Sequence, residues 1–596
     1  MTGHDASTPA APAAPAAPAA SRNAARWAAR LAPFAIVIAM LGLLQWGHRD
    51  DSPTEDEWAH MTRGLAWWQT SDMRLNYAHP PLANAIAAIP VALMKGNAHV
   101  SSFRHWKDAN IGLVALDYIK RDYARAREQL FRARLMIMLM AAALAGYVWS
   151  WSRWFWGERA ALAALVLVAF NPTIIAQGRY MTTDLPAALA TMLAVGEFAR
   201  YASGRAGRWS LVTMTLAIGA AAVTKYSGLL LVPIFCLVGV LLAATGRGRF
   251  EGKPTARRFG ELGLHMLLAG VVLLLVINAV YKFDHTGMSV RDILAAPEPQ
   301  YSVSKSYKHQ LLEKHSLLRF LPAGMRVPLP YTYLFGMAAV TALNAGGFTS
   351  YFLGEAIRIG HWAYFPVMLL IKNPPATVLL LLAGAALALR RVRAPSVEVI
   401  ATGATALLLL ASFMRANLNM GVRHAMPIMP LLAVLAARSF DRLSALTSSR
   451  RPVQLALAGL VASTVASALL AAPHFLGYFN LFVGGAAGGY KISIYGEDWG
   501  QDRAALAKYA KEHDIQPLYY NYQSETRRIE WEYFGVPYKR FGCETAPSPG
   551  SWVALHALTL KTAPKKCYKA LRGREPDVEI NHHIYLYRIL PDPAKP

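Results

Sequence analysis

Three acids in a row, Glu55-Asp56-Glu57, follow the first long apolar run of the chain and precede Trp58, His60 and Arg63. Ser52 with Glu55 three residues on, and Pro53 between them, has the form of a capping box with proline at the first helical position. The spacing predicts a helix over 53–68, on which Asp56, His60 and Arg63 share one face at intervals of four and three. Glu57 and Gly64 fall on a neighbouring face, where glycine permits close approach. A carboxylate held in this way can take a proton from a hydroxyl, which is the work of a general base. Acids in a first turn also complement the helix dipole, so their meaning depends on what faces them.

Other polar groups stand at the ends of apolar runs. Asn76-Tyr77-Ala78-His79-Pro80-Pro81-Leu82 leads into the apolar stretch 83–94, which reads as an interfacial helix. Gly178-Arg179-Tyr180-Met181-Thr182-Thr183-Asp184 places a carboxylate at the lip of the next apolar run, a costly position unless it caps the helix or serves a partner or a site. Lys225, Lys372, Arg423 and His424 lie at comparable ends. Each either anchors its helix at the lipid interface or offers positive charge to an anion. Asp498-Trp499-Gly500-Gln501-Asp502 sets a tryptophan between acids, as a platform for a sugar or an acceptor or as the start of a helix.

The elements that must position these groups are membrane spans. Of 596 residues 54% are hydrophobic and 16% charged, and the apolar residues cluster in runs close to the roughly 20 residues that cross a hydrocarbon core. The net charge of +25 excludes little until it is mapped. Most of the excess lies in short loops such as Arg153/Arg159, Arg200/Arg205/Arg208, Arg247–Arg258, Arg390–Arg393 and Arg438–Arg451, the signature of a cytoplasmic side. Membrane orientation therefore accounts for the charge, and no nucleic-acid partner is expected. With those loops inside, eleven spans follow: 31–46, 133–151, 159–177, 185–201, 209–224, 226–245, 262–281, 376–389, 397–413, 426–438 and 453–472. Residues 1–28 form a disordered cytoplasmic tail, 29–474 the membrane domain and 475–596 a periplasmic domain. Loops 48–132 and 282–372 are also periplasmic, with the pieces 331–343 and 351–370 along the interface. In the last domain 501–513 reads as helix and 517–522, 552–558 and 583–589 as strands, a small α/β unit. Cys543 and Cys567 fall there, where a disulfide can form, two separate thiols being the alternative. Cys236 lies in an apolar run. The setting is a bacterial inner membrane.

Taken in order, the pieces resemble the GT-C superfamily of lipid-carrier-dependent glycosyltransferases, near the protein O-mannosyltransferases and the lipid A aminoarabinose transferases. The resemblance rests on Asp56-Glu57 after the first span, His79-Pro80-Pro81-Leu82, Asp184, Lys225, Gly354-Glu355, Tyr364-Phe365-Pro366 with Lys372, Asn419-Met420-Gly421-Val422-Arg423-His424, Phe479-Asn480 and Asp498-Trp499-Gly500-Gln501-Asp502. It covers roughly residues 30–510. It implies an all-α, GT-C-like membrane fold and a polyprenyl-phosphate sugar donor, with a protein, lipid or glycan as acceptor.

The implied chemistry agrees with the residues. A sugar on a polyprenyl phosphate already has a weakly basic leaving group, so it needs cations more than an acid. The acceptor hydroxyl needs one carboxylate base, unlike the paired carboxylates of retaining glycosidases. Asp56 is the expected base, with Glu57 close behind as base or orienting group. Arg179, Asp184, Lys225, Lys372, Arg423 and His424 are expected around the donor phosphate, Arg423 foremost for its bidentate shape. His60, Tyr77 and His79 position the loop; His79 stands where some relatives carry lysine, which leaves steering as open to it as phosphate contact. Asp498, Trp499 and Gln501 are candidate acceptor contacts. No metal or other cofactor is expected, although Asp56 with Asp184 could hold a divalent ion. Two other classes remain: a flippase for lipid-linked sugar, which would place polar residues mid-membrane, and a non-catalytic binder of polyprenyl phosphate.

Overall fold

A computed structural model describes residues 19–207, 209–296, 311–390, 395–494, 496, 498–521 and 525–590. Most of the tail expected over 1–28 lies outside the described residues, and a helix already begins at Ala19 and continues to Gln45. Helices stand at each of the eleven stretches expected to span. Among the described residues four are long and apolar enough to cross a bilayer: Tyr123–Trp156, Tyr226–Phe250, Thr255–Val280 and Arg451–Ala471. A fifth arises if Tyr364–Lys372 and Pro375–Arg390, bent by 115° at Asn373-Pro374, are one span. The bend follows from Pro374 and Pro375, which cannot continue the hydrogen-bond ladder. By this measure the chain is a multi-pass membrane protein.

The helix Asp184–Ser203 is the hub. Nearly all of its residues are buried, and it packs on Tyr123–Trp156, Trp209–Ala222 and Val397–Phe413. Small residues allow this: a Cβ added at Gly196 would lie 2.3 Å from the Tyr147 hydroxyl. Close helix contact through small side chains replaces the hydrophobic drive that lipid removes. Asp184 thus begins a long helix that is buried on nearly all sides.

Several boundaries differ from the sequence expectation. The second span starts not at 133 but at Tyr123, where Asp122 caps the helix by accepting from the Arg125 amide at 2.9 Å. The third is broken: Glu158–Ala169 ends, and Asn171 caps a separate helix Pro172–Gln177. Residues 83–94 form two short helices, Leu82–Ala87 and Ile89–Ala92. Within 351–370 a hairpin of β1 (Ser350–Phe352) and β2 (Glu355–Ile357) precedes the helix at Tyr364.

The C-terminal unit holds a five-stranded mixed sheet. Its strands are β3 (Leu518–Tyr520), β4 (Tyr538–Arg540), β5 (Trp552–His556), β6 (Val578–Ile580) and β7 (Ile584–Arg588) in the order β4-β3-β5-β7-β6. β3 pairs parallel with β4 and β5, whereas β7 runs antiparallel to β5 and β6. Alternation along β5 sends Ala554 to one core, with Leu506 and Trp531, and Val553 and Leu555 to the other. Cys543 and Cys567 are joined in a disulfide. The short β4 and β6 and the helix Glu525–Phe534 were not expected, each lying in a polar stretch without clear period.

The helix Glu57–Gln69 packs on Leu82–Ala87 at Gly64. A Cβ there would lie 2.2 Å from the Asn84 carbonyl oxygen and 2.6 Å from the Ala88 methyl. Gly64→Val should therefore destabilise the protein by about 1–3 kcal/mol, read as a lowered unfolding midpoint, whereas Gly263→Ala, with nothing near the added methyl, should leave the midpoint unchanged. Equal midpoints for the two variants would contradict this packing.

Candidate active site

The acid-bearing helix runs Glu57–Gln69, four residues later than the sequence form suggested. Ser52 does not cap it; its hydroxyl accepts from the Ala504 amide at 3.0 Å. The reciprocal half of a capping box is formed instead by Thr54, whose amide donates to the Glu57 carboxylate at 2.8 Å. Asp56 sits at the N-cap position with no side-chain cap bond.

The two neighbouring acids have different surroundings. Glu57 and Arg134 are fully buried, with Arg134 Nη2 2.6 Å and Nε 2.8 Å from the two carboxylate oxygens. Glu57 also accepts from the Met181 amide at 2.7 Å. Arg134 donates onward to the carbonyls of His48 and Ser52 at 3.0 and 3.2 Å. Glu57 is therefore a strut between the 48–122 loop region, the helix Tyr123–Trp156 and the turn before Asp184. Its lone pairs are committed, which removes it as a base.

Asp56 is open where Glu57 is closed: its side chain is 47% exposed. Arg423 Nη1 lies 2.8 Å from its Oδ2 and 3.9 Å from Asp184 Oδ2, and Lys225 Nζ lies 2.5 Å from Asp184 Oδ1. The result is a chain of alternating charge, Asp56–Arg423–Asp184–Lys225, drawn from four separate segments. Burial opposes ionisation of Asp56, but the Arg423 guanidinium outweighs it and holds the carboxyl below the usual range. The indole of Trp499 carries the guanidinium of Arg423 at 3.7 Å from its ring centroid.

The histidines beside this chain are neutral near pH 7. Burial, then Lys225 and Arg423, bring His424 down to about 3. Burial, then Arg63, brings His60 to about 4, and His79 lies well below its ordinary value, first through burial and then through His60. His424 can thus serve a phosphate only as a hydrogen-bond donor. His60 and Asn84 are 2.9 Å apart, His60 packs edge-on to His79 at 4.8 Å, and His79 stands 3.4 Å from the Thr183 hydroxyl, one residue before Asp184. The Tyr77 carbonyl accepts from the Tyr226 hydroxyl at 2.9 Å, beside Lys225. These residues brace the first loop against the second and third turns.

Not every candidate joins the cluster. Arg179 pairs with Asp51 at 2.8 Å and donates to the Pro473 carbonyl at 2.5 Å. Lys372 donates to the Leu476 carbonyl at 2.9 Å and lies over the Phe479 ring at 4.1 Å. Both fasten the segment after the last span. Asp498 is 2.8 Å from His556 Nδ1, and Gln501 turns back to accept from the Trp499 amide at 2.8 Å and to donate to Asp502 at 2.8 Å. Of that trio Trp499 touches the charge chain, through Arg423.

Arg134 and Arg503 went unrecognised in the sequence. Arg134 carried a signal: an arginine inside an expected span needs a partner. Arg503 pairs with Glu530, lies 3.1 Å from Glu55 and donates to the Pro53 carbonyl at 2.7 Å. With the Ser52 amide donating to the Gln501 carbonyl at 2.8 Å, it clamps the strand before Asp56 to the C-terminal unit; its distance of more than 440 residues from Glu55 hid it. Among the described residues no three His, Cys, Asp or Glu side chains gather as metal ligands, and the Arg423 guanidinium lies between Asp56 and Asp184.

Replacing the two acids should separate strut from site. Glu57→Ala leaves Arg134 buried and unpaired and should cost about 3–5 kcal/mol. Asp56→Ala breaks a half-open pair and should cost about 1 kcal/mol or less. Unfolding midpoints of the purified variants check this, and a larger loss for Asp56→Ala would reverse the assignment.

A sequence comparison with curated proteins finds no match. Among solved structures, ArnT from Cupriavidus metallidurans bound to undecaprenyl phosphate is 15% identical, covering 94% of this chain and 99% of that one with a TM-score of 0.46. Its apo state gives 15%, 95%, 98% and 0.47. The oligosaccharyltransferase of Archaeoglobus fulgidus, tethered to an acceptor peptide, gives 13%, 75%, 54% and 0.43. Residues 126–280, which carry Arg134, Asp184 and Lys225, match the family model described as dolichyl-phosphate-mannose-protein mannosyltransferase, so the chain resembles that family of lipid-carrier-dependent glycosyltransferases.

Proposed function

We propose that this chain is a membrane glycosyltransferase that moves a sugar from a polyprenyl-phosphate donor to an acceptor hydroxyl on the periplasmic face, with inversion at the anomeric carbon. The observation that carries the proposal is the half-open Asp56 carboxylate against the Arg423–Asp184–Lys225 chain, while Glu57 is locked away. The family match over 126–280 supports the class. The proposed topology has eleven spans in a bacterial inner membrane, the N-terminus cytoplasmic and residues 475–596 periplasmic. Asp184–Ser203 fits it, beginning at the acidic cluster and ending among Arg200 and Arg205.

In the transfer step the acceptor oxygen attacks C1 of the sugar and its proton passes to Asp56. The bond from C1 to the phosphate oxygen breaks, and its electron pair leaves with the phosphate. Arg423, Lys225 and a neutral His424 face that departing charge, where a desolvated site strengthens each contact.

The ion pair with Arg423 makes Asp56 a poor base before donor binds. A donor phosphate competes for the same guanidinium. Partner exchange at Arg423 then restores the basicity of Asp56 at the moment the phosphate is neutralised. Trp499 keeps the guanidinium within reach of both partners.

Asp56→Asn should lower kcat by about 10²–10⁴ while the protein stays folded. Transfer requires ionised Asp56, so activity is present above its pKa and falls as pH drops through it. The acid limb of kcat/KM, which reports the free enzyme, should lie below the ordinary aspartate range, and the limb of kcat, which reports the donor complex, should lie higher. Coincident limbs would reject the exchange. Mass spectrometry of glycans and lipids from a deletion strain, complemented with wild type or Asp56→Asn, checks the reaction itself; complementation by the variant would exclude Asp56 as base.

A further inference from the structure

A second feature lies at the opposite end of the bundle. Asp184 and Tyr201 are on one helix, about 25 Å apart at 1.5 Å per residue. Around Tyr201 a half-open apolar groove with a cavity volume of about 90 Å³ runs between four helices: Asp184–Ser203, Trp209–Ala222, Leu231–Thr245 and Thr255–Val280. Phe198, Ile218, Phe235, Met266, Gly270 and Leu273 contribute to its walls.

The groove exists because Thr255–Val280 is a peripheral helix. Only Leu262, Ile277 and Asn278 along it are buried, and Leu264, Leu267, Leu268 and Val271 stand exposed. Its glycines keep the wall thin: a Cβ at Gly270 would meet nothing within 4 Å.

One end of the groove is polar. The Tyr201 hydroxyl and His265 Nδ1 are 2.7 Å apart, and the Arg249 guanidinium covers the Tyr201 ring at 3.9 Å. Arg249 and Lys253 both reach Glu261, each at 2.7 Å. The segment 247–261 that supplies them carries five cations, Arg247, Arg249, Lys253, Arg257 and Arg258, against two carboxylates, Glu251 and Glu261. An apolar channel that ends in a cationic rim has the polarity of a lipid with an anionic headgroup. A second copy of the chain would bring the same positive rim against itself.

We propose that this groove is a binding site for one anionic phospholipid of the leaflet opposite the acidic site, its acyl chain between the stacked Phe198–Phe235 pair and Gly270 and its phosphate at Lys253 and Arg249. The site is independent of the transfer reaction. Bound lipid completes the packing of the peripheral helix, whose inner neighbours carry Lys225.

The test is native mass spectrometry of the full-length protein released from vesicles of phosphatidylglycerol or of phosphatidylcholine with the same chains. Wild type should retain one phosphatidylglycerol at least about tenfold more often than phosphatidylcholine. Gly270→Phe fills the channel and should abolish retention of both. Lys253→Gln, a substitution at the partly exposed rim that leaves the bundle intact, should erase the preference for the anionic lipid and leave chain binding. Equal retention of the two lipids by wild type, unchanged retention by both variants, or a dimer mass that Gly270→Phe abolishes would overturn the proposal.

Discussion

An ion pair with no exposed surface on either side organises the site-bearing face of this protein. Charges taken out of water lose several kcal/mol each in solvation, and only close, complete partnering compensates. Glu57 and Arg134 have that partnering from one another, from the amides of Thr54 and Met181 and from the carbonyls of His48 and Ser52. To satisfy them, the loop before Trp58, the long helix Tyr123–Trp156 and the turn before Asp184 must meet at one point. The pair fixes geometry more than it stabilises.

Its consequence is the position of Asp56. Locking Glu57 inward turns the adjacent residue, at the mouth of the helix, to a different and half-exposed face. There it meets Arg423, brought in on the turn before Met429–Leu446, and Trp499 from beyond the last span. Clamping of Ser52–Glu55 by Gln501 and Arg503 makes the C-terminal unit part of the site. The acidic lip and the basic rim are thus two ends of one helix, Asp184–Ser203, with opposite chemical preferences.

Much of this was legible in the residues. Apolar runs and basic loops located the helices, and the acids, Asp184, Lys225, Arg423 and His424 were marked by standing at helix ends. Which of Asp56 and Glu57 faces outward was not legible, because their separation depends on a partner, Arg134, that sits 77 positions away inside an apolar run. Arg179 and Lys372 look like the other cations in sequence, yet carbonyls of the 473–476 segment claim them. Helix starts were misread where side chains were recruited across the fold: Ser52 caps the helix at Arg503, so its own helix begins later. The polar stretches around β4 and β6 form strands only because β3 and β7 offer edges.

The account turns on Arg423 having two partners in competition, a carboxylate at rest and a phosphate in the donor complex. The affinity of a polyprenyl phosphate, titrated into wild type and Asp56→Asn, reads that competition directly. Tighter binding by Asp56→Asn, with turnover lost, is the predicted result. Weaker or unchanged binding would show that Arg423 does not move between the two, and the roles given to Asp56 and Arg423 would not stand.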